Sequence, residues 1–171
     1  AAMLVSGATE LADDLRKIPY ASTATVSLAY RKEDVSRGLD SFGFVVPSIE
    51  SRKIMACTFS SLKYAGRAPE DCVLLRAFVG GALQPSLFED GDETMESNVR
   101  QELASLLGVT AAPLFSRLHR HPRSMPQYQV GHQERVRRIE TALGKLPGLV
   151  LAGSAYHGVG IADCVHSGEA A

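Results

Sequence analysis

The residues best able to do chemistry lie at the end of the chain, in "GSAYHGVGIADC" (Gly153–Cys164). An apolar run, "LVLA", leads into them, and helix-compatible residues follow. Strand, glycine turn, helix start is an order that seats a phosphate or a flat cofactor. Glycine lets a ligand approach the backbone, and the first helical N–H groups aim at an anion or a carbonyl oxygen. A structural turn satisfies the same pattern. Neither GxGxxG nor GxxxxGK[ST] occurs in the chain, so a nucleotide would draw most of its phosphate site from elsewhere.

Other constellations are thinner. His119 and His121 share one face of an expected strand, His132 follows, and imidazoles suit zinc. No carboxylate or cysteine stands at a supporting spacing, and Pro122 is expected to interrupt the strand. The histidines therefore read as partly exposed polar residues, and no metal site is expected. No GxSxG elbow precedes a base, so no residue is singled out as catalytic. Asp13 with Asp14, and Asp90 with Asp92, fall at helix starts or turns, where capping or a solvated face explains them. Arg135 and Arg138 share a helix face with acids nearby, which reads as a solvated face. Arg117, Arg120 and Arg123 cluster around a strand end, where carboxylates could be held. Cys57, Cys72 and Cys164 are odd in number and lack CxxC spacing. The first two lie in apolar runs and read as small buried side chains of a reducing compartment.

These residues need elements to hold them. Leu11, Leu15 and Ile18 recur at helical spacing, predicting a helix over 8–18 that ends before Pro19. "STATVSLAYR" (22–31) alternates and is β-branched, hence a strand. Residues 42–47, 53–61 and 72–81 are further strands, and their short spacing favours an antiparallel meander. Met95, Val99, Leu103 and Leu106 mark a helix that Asp92 would cap and Gly108 would end. A strand over 114–121, a helix over 132–146 and a short buried strand in "GLVLAG" complete an α+β order, mostly antiparallel sheet with packed helices. The last helix has barely begun when the sequence stops, as in a fragment.

The totals fit one domain or a large piece of one: 171 residues, 45% hydrophobic and 22% charged. A formal net charge of −1 gives no general attraction to nucleic acid. No apolar run approaches the ~18 residues of a membrane span, and the N-terminus lacks the basic flank of a signal peptide.

Two long stretches carry a resemblance: "FGFVVPSIESRKIMACTFSSLKYAGRAPEDCVLLRAFVGG" and "MPQYQVGHQERVRRIETALGKLPGLVLAGSAYHGVGIADCVHSGEAA". From about Tyr20 to Ala171 the chain resembles the oxygen-dependent protoporphyrinogen oxidase family, within the flavin-containing amine oxidoreductases. The matching order is "SS…RAP", a strand ending "GG", "PQY..GH" and a final "GVGI.DC..SG". In that family the closing turn wraps the flavin while the dinucleotide fingerprint lies at the protein's N-terminus. The resemblance thus implies a fragment: 1–128 as part of a substrate-binding sheet domain, 129–171 as the strand, turn and helix that contact FAD, and the N-terminal dinucleotide-binding part absent.

By that likeness, backbone atoms of Val159, Gly160 and Ile161 approach the isoalloxazine, and Gly153 and Ser154 lie near the ribityl or phosphate portion. Ser154 stands where asparagine is more usual. Gly43 and Val45 pack one tetrapyrrole face and Phe78 the other, positions for which simple core packing is the alternative. His121 stands where many members carry tryptophan, and the arginine pairing with a propionate belongs to the N-terminal part. The implied reaction takes protoporphyrinogen IX or coproporphyrinogen III to the porphyrin in heme biosynthesis. Hydride passes from a meso carbon to flavin N5, and dioxygen reoxidises the flavin. Catalysis then rests on positioning rather than on a strong acid or base.

The resemblance allows a cytoplasmic protein, peripheral to the inner face of a membrane through parts outside this chain, and a homodimer. The fragment alone is expected to be inactive and to hold FAD weakly. Two alternatives remain open: a flavin enzyme acting on an amine or carotenoid precursor, and a free-standing binding module. The first wants an aromatic pair at the flavin, for which the turn offers Tyr156 alone.

Overall fold

The computed structural model describes residues 9–171, so Ala8 of the expected first helix lies outside the described residues. Two compact units form, one from 9–21 with Met125–Ala171 and one from Ser22–Ser124. The fold is α+β, built on a five-stranded sheet in the order β2-β3-β4-β1-β5.

The strands are β1 (Tyr20–Arg31), β2 (Gly43–Val45), β3 (Ala56–Phe59), β4 (Cys72–Gly80) and β5 (Phe115–Pro126). β2, β3 and β4 make the expected antiparallel meander, but β1 joins beside β4 rather than β2. Length decides this. Thr23 through Arg31 pair with Gly80 back to Cys72, whereas β2 offers only three residues. The strand expected over 53–61 stops at Phe59 and turns into α2 (Ser60–Lys63), where the Ser61 hydroxyl accepts the Leu74 N–H.

One face of the sheet is the core. Ala24, Val26, Leu28 and Tyr30 of β1 lie against Cys57 and Phe59 of β3 and Val73, Leu75, Ala77 and Val79 of β4. Helix α3 (Asp92–Leu107) covers them with Met95, Val99, Leu103 and Leu107, a strict every-fourth-residue stripe. Each such buried side chain contributes about 1.5–3 kcal/mol. Asp92 does not cap α3, contrary to expectation. Gly91 occupies the cap, and Asp92 begins the helix with its carboxylate drawn to Arg120. Gly108 ends the helix in the left-handed conformation, as expected.

β5 does not break at Pro122. An edge strand needs no ladder bond on its outer side, so proline is tolerated there. The strand runs on to Pro126, with the Arg123 N–H donated to Ser22 Oγ.

In the other unit, α1 (Thr9–Arg16) packs on α4 (His132–Leu143). Leu11, Ala12, Leu15 and Ile18 meet Ile139 and Ala155. Asp14 and Arg138 join the two helices through paired bonds of 2.9 and 3.0 Å. α4 stops at Leu143, short of the expected 146, and the chain tightens into three-residue turns, with the Lys145 N–H donated to the Ala142 carbonyl and the Leu146 N–H to that of Leu143. "GLVLAG" forms no strand. A strand exists through paired backbone, and no strand of the described residues pairs with it. Leu149 and Leu151 turn to the apolar cluster while Val150 is exposed. The last helix, α5, spans Ile161–Glu169.

Candidate functional site

The terminal turn is held from two sides. At the start of α5, Asp163 Oδ2 accepts the Gly160 N–H at 3.2 Å. A Cβ at Gly158 would run into that carboxylate, and one at Gly160 would come within 2.8 Å of it. These glycines therefore make room for Asp163 from within, a residue the sequence pattern alone did not single out. From the other side, the Tyr128 phenol donates to the Ser154 carbonyl at 2.7 Å. Its pKa is raised, chiefly by loss of solvent. Tyr128 stacks on His132, with ring centroids 4.0 Å apart and planes 12° from parallel.

His132 is buried in the first turn of α4 and donates from Nε2 to the Tyr156 carbonyl at 3.2 Å, which fixes the proton on that nitrogen. His132 is thus a buried clamp rather than the partly exposed residue expected. Its Nδ1 is buried without a partner among the described residues. Between these supports, Val159 and Ile161 are 63% and 86% exposed, so their backbone is approachable. Gly153 has open space beside its Cα, and its N–H is donated to Ser167 Oγ.

The second set of expected residues lies on the sheet. Register places Val45 opposite Ala56 and Ala56 opposite Phe78, so all three share one cross-strand row. Directly opposed residues present the same face. This face is the one turned away from the core. Val45 is 80% exposed and Phe78 half-buried. Over two strand spacings the row brings them about 10 Å apart. Gly43 begins the next row, Gly43–Thr58–Arg76–Ser27. A Cβ on Gly43 would strike the Cys57 carbonyl, so the sheet itself requires glycine there. Phe78 and Val45 are therefore not core packing.

The basic run splits by strand alternation. Leu118 packs on the core, and Arg120 points the same way. The Arg120 guanidinium donates to the Phe88 and Asp90 carbonyls and to Asp92, and lies 5.4 Å from the Phe88 ring. It therefore tethers the chain leading into α3 and is not free for a ligand. Arg117, His119 and His121 alternate to the opposite side and are exposed. Among the described residues no cluster of His, Cys, Asp or Glu could hold a metal. The three cysteines are free, and burial pushes the Cys57 thiol up to about 12. Cys72 is only half-buried.

Residues 4–171 match the family of flavin containing amine oxidoreductases. This chain belongs to that family. It is 33% identical over 160 residues to coproporphyrinogen III oxidase of Staphylococcus aureus, covering 93% of this chain and 34% of that protein. It is 32% identical to protoporphyrinogen oxidase of Bos taurus, covering 99% and 36%. A provisionally named protoporphyrinogen oxidase from Exiguobacterium sp. 255-15, solved as a crystal structure, superposes with a TM-score of 0.79 at 36% identity. That match covers 92% of this chain and 35% of the other. The chain thus spans about a third of the length of these relatives.

A flavin is the cofactor of this family, and the turn suits one part of it. An exposed helix start with approachable backbone fits a flat ring edge. The Asp163 carboxylate already occupies the positive end of α5, so a second full anion there is disfavoured. The turn therefore fits the polar carbonyl edge of a ring better than a phosphate. Among the described residues no helix is long and apolar enough to cross a membrane.

Proposed function

We propose that this chain is the substrate-bearing sheet and flavin-contacting turn of an FAD-dependent oxidase that converts a porphyrinogen to a porphyrin in heme biosynthesis, with dioxygen as acceptor. The observation that carries this reading is the Val45–Ala56–Phe78 row, an apolar strip on the sheet face turned away from the core. A flat, greasy macrocycle gains by covering such a strip, at about 25 cal/mol per Å² of apolar surface removed from water. Similarity to enzymes named for coproporphyrinogen III and protoporphyrinogen supports the tetrapyrrole class. As a division of function rather than of folding units, 1–128 serves the substrate and 129–171 the flavin, with the dinucleotide-binding part outside this sequence.

When bound, the flavin supplies the two-electron acceptor for hydride from a substrate carbon. The chain's own residues do the rest by placement. Val45 and Phe78, which share one row on one sheet face, line the macrocycle from that side rather than from its two opposite faces, and keep water from it. Gly43, lacking a side chain, leaves the neighbouring row open to the ring. Backbone atoms of Val159, Gly160 and Ile161 orient the flavin ring edge. Gly153 and Ser154 lie toward the ribityl portion. No side chain of this chain is assigned a proton-transfer role. A homodimer and a peripheral seat on the inner membrane face, in the cytoplasm, are compatible with this reading.

The test is purification of the full-length flavoprotein. Release of FAD on denaturation is expected, together with porphyrin fluorescence and hydrogen peroxide when coproporphyrinogen III or protoporphyrinogen IX is added in air. A protein that carries no flavin, or that oxidises neither porphyrinogen, overturns the proposal.

A further inference from the structure

Arg76 lies on the same open sheet face as Val45 and Phe78. It is two residues before Phe78 on β4, hence about 7 Å along the strand, and alternation sends both side chains to one side. Its side chain is exposed. Nε donates to Ser27 Oγ at 3.4 Å, a long bond that leaves the two terminal nitrogens available. Among the described residues no carboxylate lies within ion-pair distance of it.

The row it occupies is polar and lightly filled. Gly43 offers no side chain, while Thr58 and Ser27 offer hydroxyls. Two adjacent rows therefore differ in kind, one apolar with Val45, Ala56 and Phe78, the other cationic and hydrogen-bonding. Farther across the sheet, β5 turns Arg117, His119 and His121 away from the core, while Arg120 is consumed by its tether to Phe88, Asp90 and Asp92.

An apolar strip flanked by an unpaired guanidinium matches a flat hydrophobic molecule with acidic arms. Arginine suits that task because its planar fork meets a carboxylate with two parallel bonds. We propose that Arg76 is the carboxylate-pairing residue of this face and biases it toward the more highly carboxylated porphyrinogen. This rests on the reading that the Val45–Phe78 row receives the tetrapyrrole.

The experiment uses the full-length flavoprotein, wild type and Arg76→Gln, with Arg76→Lys as the charge-retaining variant. Binding is measured for coproporphyrin III, for protoporphyrin IX and for the carboxyl-esterified form of coproporphyrin III, alongside flavin content. Loss of a charge-assisted pair should weaken coproporphyrin III about tenfold or more in Arg76→Gln. The loss should be smaller for protoporphyrin IX and absent for the ester, with flavin content unchanged and partial recovery in Arg76→Lys. Equal loss for acid and ester, or none for the acid, overturns the assignment of Arg76 while leaving the site reading intact. A wild-type protein that binds none of the porphyrins removes the site reading and the arginine's role together.

Discussion

The sheet unit and the C-terminal unit are stabilised by different physics. In the sheet, a deep apolar layer is shared by three strands and α3, and Val26, Leu28, Leu75, Ala77, Val99 and Leu103 are wholly shielded from water. In the C-terminal unit, a small cluster around Ile139 is supplemented by directional bonds. Arg138 pairs with Asp14, Tyr128 and His132 grip the backbone at Ser154 and Tyr156, and Asp163 grips Gly160. Burial is tolerant of small displacements and strong in sum, whereas directional bonds are individually weak and fix position closely. In the proposed reading the sheet, as a slot wall, draws on the first, and the turn, set against a ring edge, draws on the second.

The contrast can be broken most severely at the core. Leu75→Ala should cost about 2–5 kcal/mol in stability, read as a lowered urea midpoint. A cost below about 1 kcal/mol would mean that the sheet is not held by burial. Tyr128→Phe keeps the ring on His132 but removes the phenol from the Ser154 carbonyl. It should cost about 1 kcal/mol and speed amide exchange across 154–158 by roughly fivefold, leaving β4 amides unaffected. Uniform acceleration in both regions would erase the distinction.

The smallest effect comes from acid. The Arg138 hydrogen bonds hold the Asp14 carboxyl below its ordinary value of 3.8. A depressed folded-state pKa contributes stability above the unfolded value and loses it as pH falls through the folded one. Exchange protection in α1 and α4 should therefore weaken below about pH 4 before that of the sheet does. Arg138→Gln should flatten this dependence, and a pH profile unaltered by the substitution would count against the pair.

Much of the architecture could be read from periodicity. Alternation in 22–31 and the apolar stripe from Met95 to Leu103 located β1 and α3, because both bury one face of a regular element. The run "LVLA" misled, since composition suggests a strand while pairing depends on partners that local sequence does not contain. Asp92 and Arg120 show the same gap: a cap-type residue was diverted by an arginine far along the chain. The terminal turn was legible from its glycines, but not the reason for them. That reason is Asp163, three residues past Gly160 in the position from which a first-turn acid reaches back to the cap N–H. Arg76 escaped attention because an isolated arginine in a strand carries no pattern until register places it beside Phe78.

The sheet's two outer strands also bear on how this chain behaves in concentrated solution. β2 is three residues long, and β5 carries Arg117, His119, Arg120, His121 and Arg123 with prolines at 122 and 126. A brief edge on one side, and a charged, proline-bearing edge on the other, give a stray strand little to dock on. Strand-by-strand stacking into fibrils is thereby discouraged, even though the interior strands are rich in the β-branched and aliphatic residues from which such aggregates grow.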